Sequence, residues 1–264
     1  MNYISAKTIY TGKKVLSNAH LLFNGKKISS VSKTKTGRDL GKFDVLTPAF
    51  IDPHSHIGME RAGEPNTEGE ANEHRDSILT LTDALDSIQM DDKALKDAVQ
   101  MGVLYSCVLP GSGNIIGGLS AVIRNYAGFS TDALISRAGL KAAFGFNPIK
   151  TNAWKGKRPT TRMGAIALLR GRLDEVRQKI RRYKQARGSK KQDIVFSAED
   201  RVLQDLLGRK LRLRAHVHKT DDIAALLRLV DEFKINVTVD HAGDVHLPHI
   251  FRELKKRRIP VVYG

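Results

Sequence analysis

A single cysteine, Cys107, stands in 264 residues, so the chain can form no internal disulfide and offers no cysteine-rich zinc cluster. Set in the apolar stretch "VLYSCVLPG", that thiol reads as a buried structural residue rather than a nucleophile. No apolar run approaches the roughly 18 residues that span a bilayer, and the amino-terminal stretch has no positive-then-apolar pattern of an export signal. A cytoplasmic protein without a membrane partner is the expectation. Aromatic residues make up 6 % of the chain and do not interleave with the basic ones as in single-strand binders. Helix-turn-helix and zinc-finger spacings, internal repeats and low-complexity segments are also missing.

Acidic side chains are scarce relative to basic ones: 28 Asp and Glu against 44 Lys and Arg, a formal charge of +16. The excess lies mainly in "RGRLDEVRQKIRRYKQARGSKK" (170–191) and "RELKKRR" (252–258). Both stretches read as helices with a solvated basic face, able to attract polyanions but more simply an exposed surface. Nucleic acid is therefore not an expected partner, and duplex binding should be weak at physiological salt.

What is present fits one large α/β domain with a small appendage. Residues 1–45 hold the strand-like pieces "KTIYTG", "AHLLFNG" and "KISSVS", separated by Gly-Lys and Asn-Gly turn signals. From residue 46 the pattern alternates. "VLTPAFID", "VLYSCVLPG", "DIVFSA", "LRLRAHVH", "NVTVDHA" and "IPVVYG" read as strands. Helices are expected over 83–101, 160–187 and, with Thr220 as N-cap, 220–233. Such alternation predicts a parallel sheet, open or closed into a barrel.

Histidines mark the ends of three of these strands. In "PAFIDPHSHIGME", Pro53 helps to stop the strand, and His54 and His56 then project to one side, as residues i and i+2 do in extended backbone. "LRLRAHVH" ends on His216 and His218, and "NVTVDHA" ends near His241. Strand ends converge at one mouth of a parallel barrel, so His54, His56, His216 and His241 are expected to meet there. Neutral imidazoles suit a divalent metal: zinc first, iron or manganese as alternatives. The glycine-rich loop "PGSGNIIGG" (110–118), with Gly113, Asn114, Gly117 and Gly118, is expected to border the substrate space.

Longer stretches carry a family resemblance over nearly the whole chain. "TPAFIDPHSHIG", "GVLYSCVLPGSGNIIGGLSAVIR", "LKAAFGFNP", "TTRMGAIALLR", "AHVHKTDDI" and "DHAGD" occur in the order found in the amidohydrolase superfamily of metal-dependent hydrolases. Within it, the chain resembles the imidazolonepropionase-related group. The resemblance implies a distorted (β/α)8 barrel with a β-sandwich built from both chain ends. The expected fold class is therefore α/β: an incomplete, TIM-like (β/α)8 barrel over 46–264, strands one to about seven, with a β half-sandwich over 1–45. His54 and His56 resemble the first-strand metal pair, His216 the fifth-strand ligand, with His218 as its alternative, and His241 the sixth-strand ligand or metal-site partner.

The resemblance also implies a function, with two departures. A metal-activated water would hydrolyse the C–N bond of a small amide or cyclic amide. Phe146 in "GFNP" replaces a carboxylate of the family's G-E-N-P box, which leaves a two-metal centre without that ligand. "IPVVYG" resembles the seventh strand, so the eighth-strand aspartate that takes the proton from water has no counterpart; Asp244 and Glu199 are the remaining carboxylate candidates. Little or no hydrolase activity is then expected of the isolated chain. A complementing C-terminal chain or a homo-oligomer is a conceivable partner. The alternatives are a catalytically degenerate, amidohydrolase-like binding protein and, behind it, a polyanion-binding protein.

Overall fold

The computed structural model describes residues 1–61, 63–65, 68–149 and 158–263, which form two compact units, Met1–Phe50 and Ile51–Gly264. In the first, strands β1 (Asn2–Tyr10), β2 (Val15–Asn24), β3 (Lys27–Ser32) and β4 (Arg38–Leu46) make one sheet in the order β3-β2-β1-β4. β1 and β2 run antiparallel, from Asn2 opposite Phe23 to Tyr10 opposite Val15, and β4 lies parallel to β1. Gly25 turns β2 into β3 at φ +56, backbone that a Cβ would strain. Ala6, Ile9 and Ala19 form a small core.

"VLTPAFID" is not one strand: Val45 and Leu46 close β4, and β5 (Phe50–Ser55) starts beyond Pro48, which has no N–H for the ladder. Pro53, expected to stop a strand, sits inside β5. It is tolerated because β5 ends the order of its sheet, where one edge needs no donor.

The second unit contains helices α1 (Ala84–Ser87) and α2 (Lys93–Gln100), strands β6 (Val103–Val108) and β7 (Ile116–Arg124), helix α3 (Ser130–Ala133) and strand β8 (Leu134–Ala143). Helices α4 (Arg162–Gln185) and α5 (Ala198–Leu207) follow, then β9 (Leu213–Val217), α6 (Thr220–Phe233), β10 (Val237–His241), α7 (Pro248–Lys256) and β11 (Val261–Val262). Among the described residues, strands β5 to β11 form one seven-stranded sheet in chain order. It curls into a nearly closed, barrel-like form: the guanidinium of Arg214 on β9 reaches the Pro53 carbonyl of β5 at 2.9 Å.

The ladder is not parallel throughout, as the alternation predicts. β8 to β11 are parallel, but β7 is antiparallel to both β6 and β8. The cause is the short link from Leu109 to Ile115 between β6 and β7. A parallel return needs a crossover of a dozen or more residues.

Three other expectations also differ. Residues 83–101 form two helices, because the buried Asp92 caps α2 by accepting from Ala94 N at 3.0 Å and also ties down Gly58 N at 3.2 Å. "DIVFSA" makes no strand; Ser197 is used instead as the cap of α5, in a reciprocal box with Asp200. Thr220 lies inside α6, with Lys219 at the cap position and no side-chain cap bond. The larger core packs Leu169, Leu173 and Val176 of α4 against Leu203 and Leu206 of α5 and Ile223 and Leu226 of α6, over β8 to β10. This fixes the strands that carry most of the histidines. No helix among the described residues is long and apolar enough to cross a membrane.

Candidate active site

Five imidazoles gather where β5, β9 and β10 end. His54 and His56 follow β5 alternation, with ring centroids 5.5 Å apart; His216 and His218 follow β9 alternation, 4.6 Å apart. The β9/β10 register puts Asp240 beside His216, so period two would send His241 to the other face. Instead His241 and Ala242 take φ +78 and +56, in the left-handed region that bulky residues avoid. This turn brings the His241 ring to 4.6 Å from His54, 4.6 Å from His216 and 5.0 Å from His218. Strained backbone of this kind persists where its surroundings impose it, often at functional sites.

Second partners orient two of the rings. His56 Nδ1 lies 2.7 Å from the Leu109 carbonyl, which can only accept, so the proton is on Nδ1 and the Nε2 lone pair is open. His54 Nδ1 lies 3.0 Å from Asp240 Oδ2, which selects the same tautomer. Burial alone would raise the Asp240 carboxyl; the His54 hydrogen bond and the Arg214 guanidinium outweigh it and hold it below the usual range. Arg214 Nη2 donates to Asp240 Oδ1 at 3.1 Å, while its Nη1 meets Cys107 Sγ at 3.2 Å. Cys107 is thus a buried packing and hydrogen-bonding group, its thiol pushed up by burial.

Burial lowers His54 to about 4, against the opposing Asp240 bond, and lowers His216 to about 2, helped by the Lys141 and His241 charges. His56 is lowered by burial and by Lys141. These rings are neutral lone-pair donors at neutral pH. Asn147 Nδ2 donates to His216 Nε2 at 3.1 Å and to Ser112 Oγ at 2.7 Å. Lys141, fully buried on β8, places Nζ 3.4 Å from His54 Nε2, and burial lowers its pKa to about 8 against the pull of Asp240.

No family model matches the chain. Amidohydrolase tasK of Hapsidospora irregularis is 26 % identical over 232 residues, which is 80 % of this chain and 23 % of that protein. The chain therefore spans less than a quarter of that relative's length. The crystal structure of an amidohydrolase from Thermotoga maritima MSB8 is similar with a TM-score of 0.86 and 26 % identity, over 100 % of this chain and 70 % of that one. These likenesses support the amidohydrolase superfamily.

The 110–118 loop reaches the histidines indirectly: its neighbour Leu109 accepts from His56, and Ser112 accepts from Asn147, which also donates to His216. Its other polar groups serve packing: Gly113 N donates to Asn72 Oδ1, the buried Asn114 amide donates to the Glu73 and Asp76 carbonyls, and Gly117 O accepts from Thr82. A Cβ on Gly118 would lie 2.3 Å from the Thr82 carbonyl oxygen, so glycine is needed there for close approach.

Asp244 lies at the mouth, its N–H bonded to His218 O at 3.1 Å, and lines a cavity of about 500 Å³ with His218, Asn147, Phe146, Arg162 and Asp222. Glu199 is not brought to the mouth; it is exposed in the first turn of α5, where its carboxylate accepts a bond from Ser197. Phe146, in place of the expected carboxylate, is exposed on that cavity. Sequence reasoning missed Lys141, Asp240 and Arg214. Their signal was a charged residue inside an otherwise apolar strand, which does not by itself say what the charge faces.

Proposed function

We propose that this chain carries the metal-binding mouth of an amidohydrolase that cleaves the C–N bond of an amide or cyclic amide, in the manner of the imidazolonepropionase-related group. The observation that supports it is the pair of pinned tautomers, His54 on Asp240 and His56 on Leu109 O. A second partner on Nδ1 is the usual device for aiming Nε2 at a cation. Among the described residues, no three His, Cys, Asp or Glu side chains stand ready-made around one ion. The donor chemistry nonetheless fits: buried neutral imidazoles suit zinc, iron or manganese, with His56 Nε2 open, although a metal would have to displace Lys141 from His54 Nε2 and Asn147 from His216 Nε2. His54 and His56 would hold the metal, with His216 and His241 as further ligands and His218 as the alternative to His216. A divalent ion bound there supplies an acidic water and polarises a carbonyl.

The chain's own groups do the rest. Asp240 and Leu109 O orient the imidazoles, and Asn147 positions His216. Asp244, beside His218 on the mouth cavity, is the carboxylate best placed to accept the proton of an attacking water. The amide would lie in the cavity between Phe146 and Asp244.

A second reading, a binding protein without catalysis, is favoured by one contact: Lys141 Nζ faces the Nε2 that a metal would need. Elemental analysis of folded protein purified without added metal is the test. About one equivalent or more is expected, lost in His54→Ala/His56→Ala, with metal-dependent turnover of a panel of amides only once a complementing C-terminal chain is added. Less than about a tenth of an equivalent would count against the metal site, since such ligands hold metal tightly. Bound metal without turnover even in the presence of a complementing C-terminal chain would favour the second reading.

A further inference from the structure

Helices α5, α6 and α7 end alike. At or just past each C-cap stands Arg209, Lys234 or Arg258, with φ +61, +56 and +55. Glycine or asparagine usually occupies that conformation. These three are half of the six non-glycine residues with positive φ among the described residues, and two of the others are His241 and Ala242 at the mouth. All three basic residues line one cavity of about 370 Å³, joined by Arg212 and Arg257, with Asp231 as the single carboxylate. Arg212 immediately precedes β9, Asn236 precedes β10 and Ile259 precedes β11, so the cavity is at the opposite strand ends from the histidines.

Most of these charges are not consumed internally. Arg257 is held by Asp231 at 2.5 Å and Glu253 at 2.6 Å. Arg209 Nε donates to Lys234 O at 2.6 Å, and Arg212 Nη1 to Val237 O at 2.9 Å. The bond to Lys234 O is ordinary capping of α6, since a helix C-terminus favours a cation, whereas Arg212 binds the first carbonyl of β10. Capping does not account for the Lys234 ammonium or the Arg258 guanidinium, neither of which has an ion-pair or hydrogen-bond partner among the described residues. Five cations therefore line the cavity against one carboxylate, Asp231, which is ion-paired with Arg257 and also feels the Lys234 charge, so positive charge remains in excess there. Apolar side chains of Val230, Ile235 and Ile259 share the lining and lower the local dielectric, which strengthens the field. The volume falls in the range of about 300–1,000 Å³ common for small-molecule sites.

We infer that this basic cavity at the amino-terminal ends of β9 to β11 binds a small multivalent anion of the phosphate class, held by Lys234, Arg258 and the free edges of Arg209 and Arg212. The site is independent of the hydrolase chemistry at the other strand ends. Titration calorimetry with inorganic pyrophosphate at physiological ionic strength tests it. The wild-type chain should bind one equivalent saturably. Lys234→Gln/Arg258→Gln should weaken binding at least tenfold, while Lys190→Gln/Lys191→Gln, an equal charge change elsewhere, should leave it within twofold. Asn236→Asp adds a carboxylate at the rim at the cost of the long 3.4 Å bond from Asn236 Nδ2 to the Arg209 carbonyl, and should also weaken binding if the first pair folds poorly. No saturable binding, or equal weakening by both double variants, would overturn the inference. So would Lys234- and Arg258-dependent binding of a short DNA duplex without any of pyrophosphate.

Discussion

Arg214 is the residue on which the interior of the barrel-like sheet depends. It bonds Asp240, the Pro53 carbonyl and Cys107, thereby linking β9 to β10, β5 and β6. Asp240 is fully buried and keeps its charge through Arg214 and His54. Removing one member of a buried ion pair leaves the other uncompensated, at a cost of about 3–5 kcal/mol. Arg214→Met, similar in bulk, should therefore lower stability by about that amount in urea unfolding followed by circular dichroism. Arg214→Met/Asp240→Leu should recover much of the loss, because both charges are gone. Wild-type stability in the single variant would show that the pair contributes nothing net. The histidine pairs were legible from sequence, since i and i+2 at a strand end is a local pattern. Arg214, Lys141 and Asp240 were not, because their roles arise from strand register, as in Asp240 opposite His216 and Lys141 opposite Arg214.

At the scale of the element, β9 shows what two-residue alternation does inside a nearly closed sheet: Arg214, His216 and His218 share one face. That face is where pH acts on stability. The unfolded chain takes up a proton on each histidine as pH falls through the ordinary 6.5, whereas folded His54 resists until about 4 and His216 until about 2. Between those values the unfolded state holds more protons, so stability must fall as pH falls. The loss begins below 6.5 and levels off for His54 near 4 and for His216 near 2. Urea midpoints measured at intervals from neutral pH down to the lower value for His54 should show this decline, and His216→Asn should reduce its slope. A flat profile would mean that these rings are not buried neutral. Element types were largely readable: β3, α4, α6, β9 and β10 fall where the sequence pattern puts them, while β1 and β2 begin four to five residues ahead of "KTIYTG" and "AHLLFNG". Strand direction was not readable, because nothing in the composition of β7 marks it as antiparallel to β6 and β8, and only the brevity of its links turns it round. "DIVFSA" misled for a related reason: an apolar run does not show that a cap, Ser197, will be used by the next helix.

Over the whole molecule, the charge of +16 sets two effects of salt against each other. Screening weakens attractive pairs such as Lys7–Asp44, Lys93–Asp97 and Arg172–Glu175, but exposed pairs contribute only about 0–1 kcal/mol each. They are also contacts of less than about 3 Å, far inside the ~8–10 Å Debye length at physiological salt. Repulsion among like charges acts over longer distances and is screened first. It is concentrated at the end of α4 and just beyond, where Arg182, Lys184, Arg187 and Lys190 have no ion-pair partner among the described residues. Repulsion should therefore dominate: raising sodium chloride from about 20 to about 300 mM, which shortens the Debye length severalfold, should raise the melting temperature by a few degrees. Lys190→Gln/Lys191→Gln should start from a higher value and respond less. A melting temperature that falls with salt would mean that the pairs on α4 and α7 outweigh the net charge. In that case the bound-anion argument for the cavity at Lys234 and Arg258 would have to rest on direct binding alone, since sodium chloride brings a monovalent anion that could also fill it.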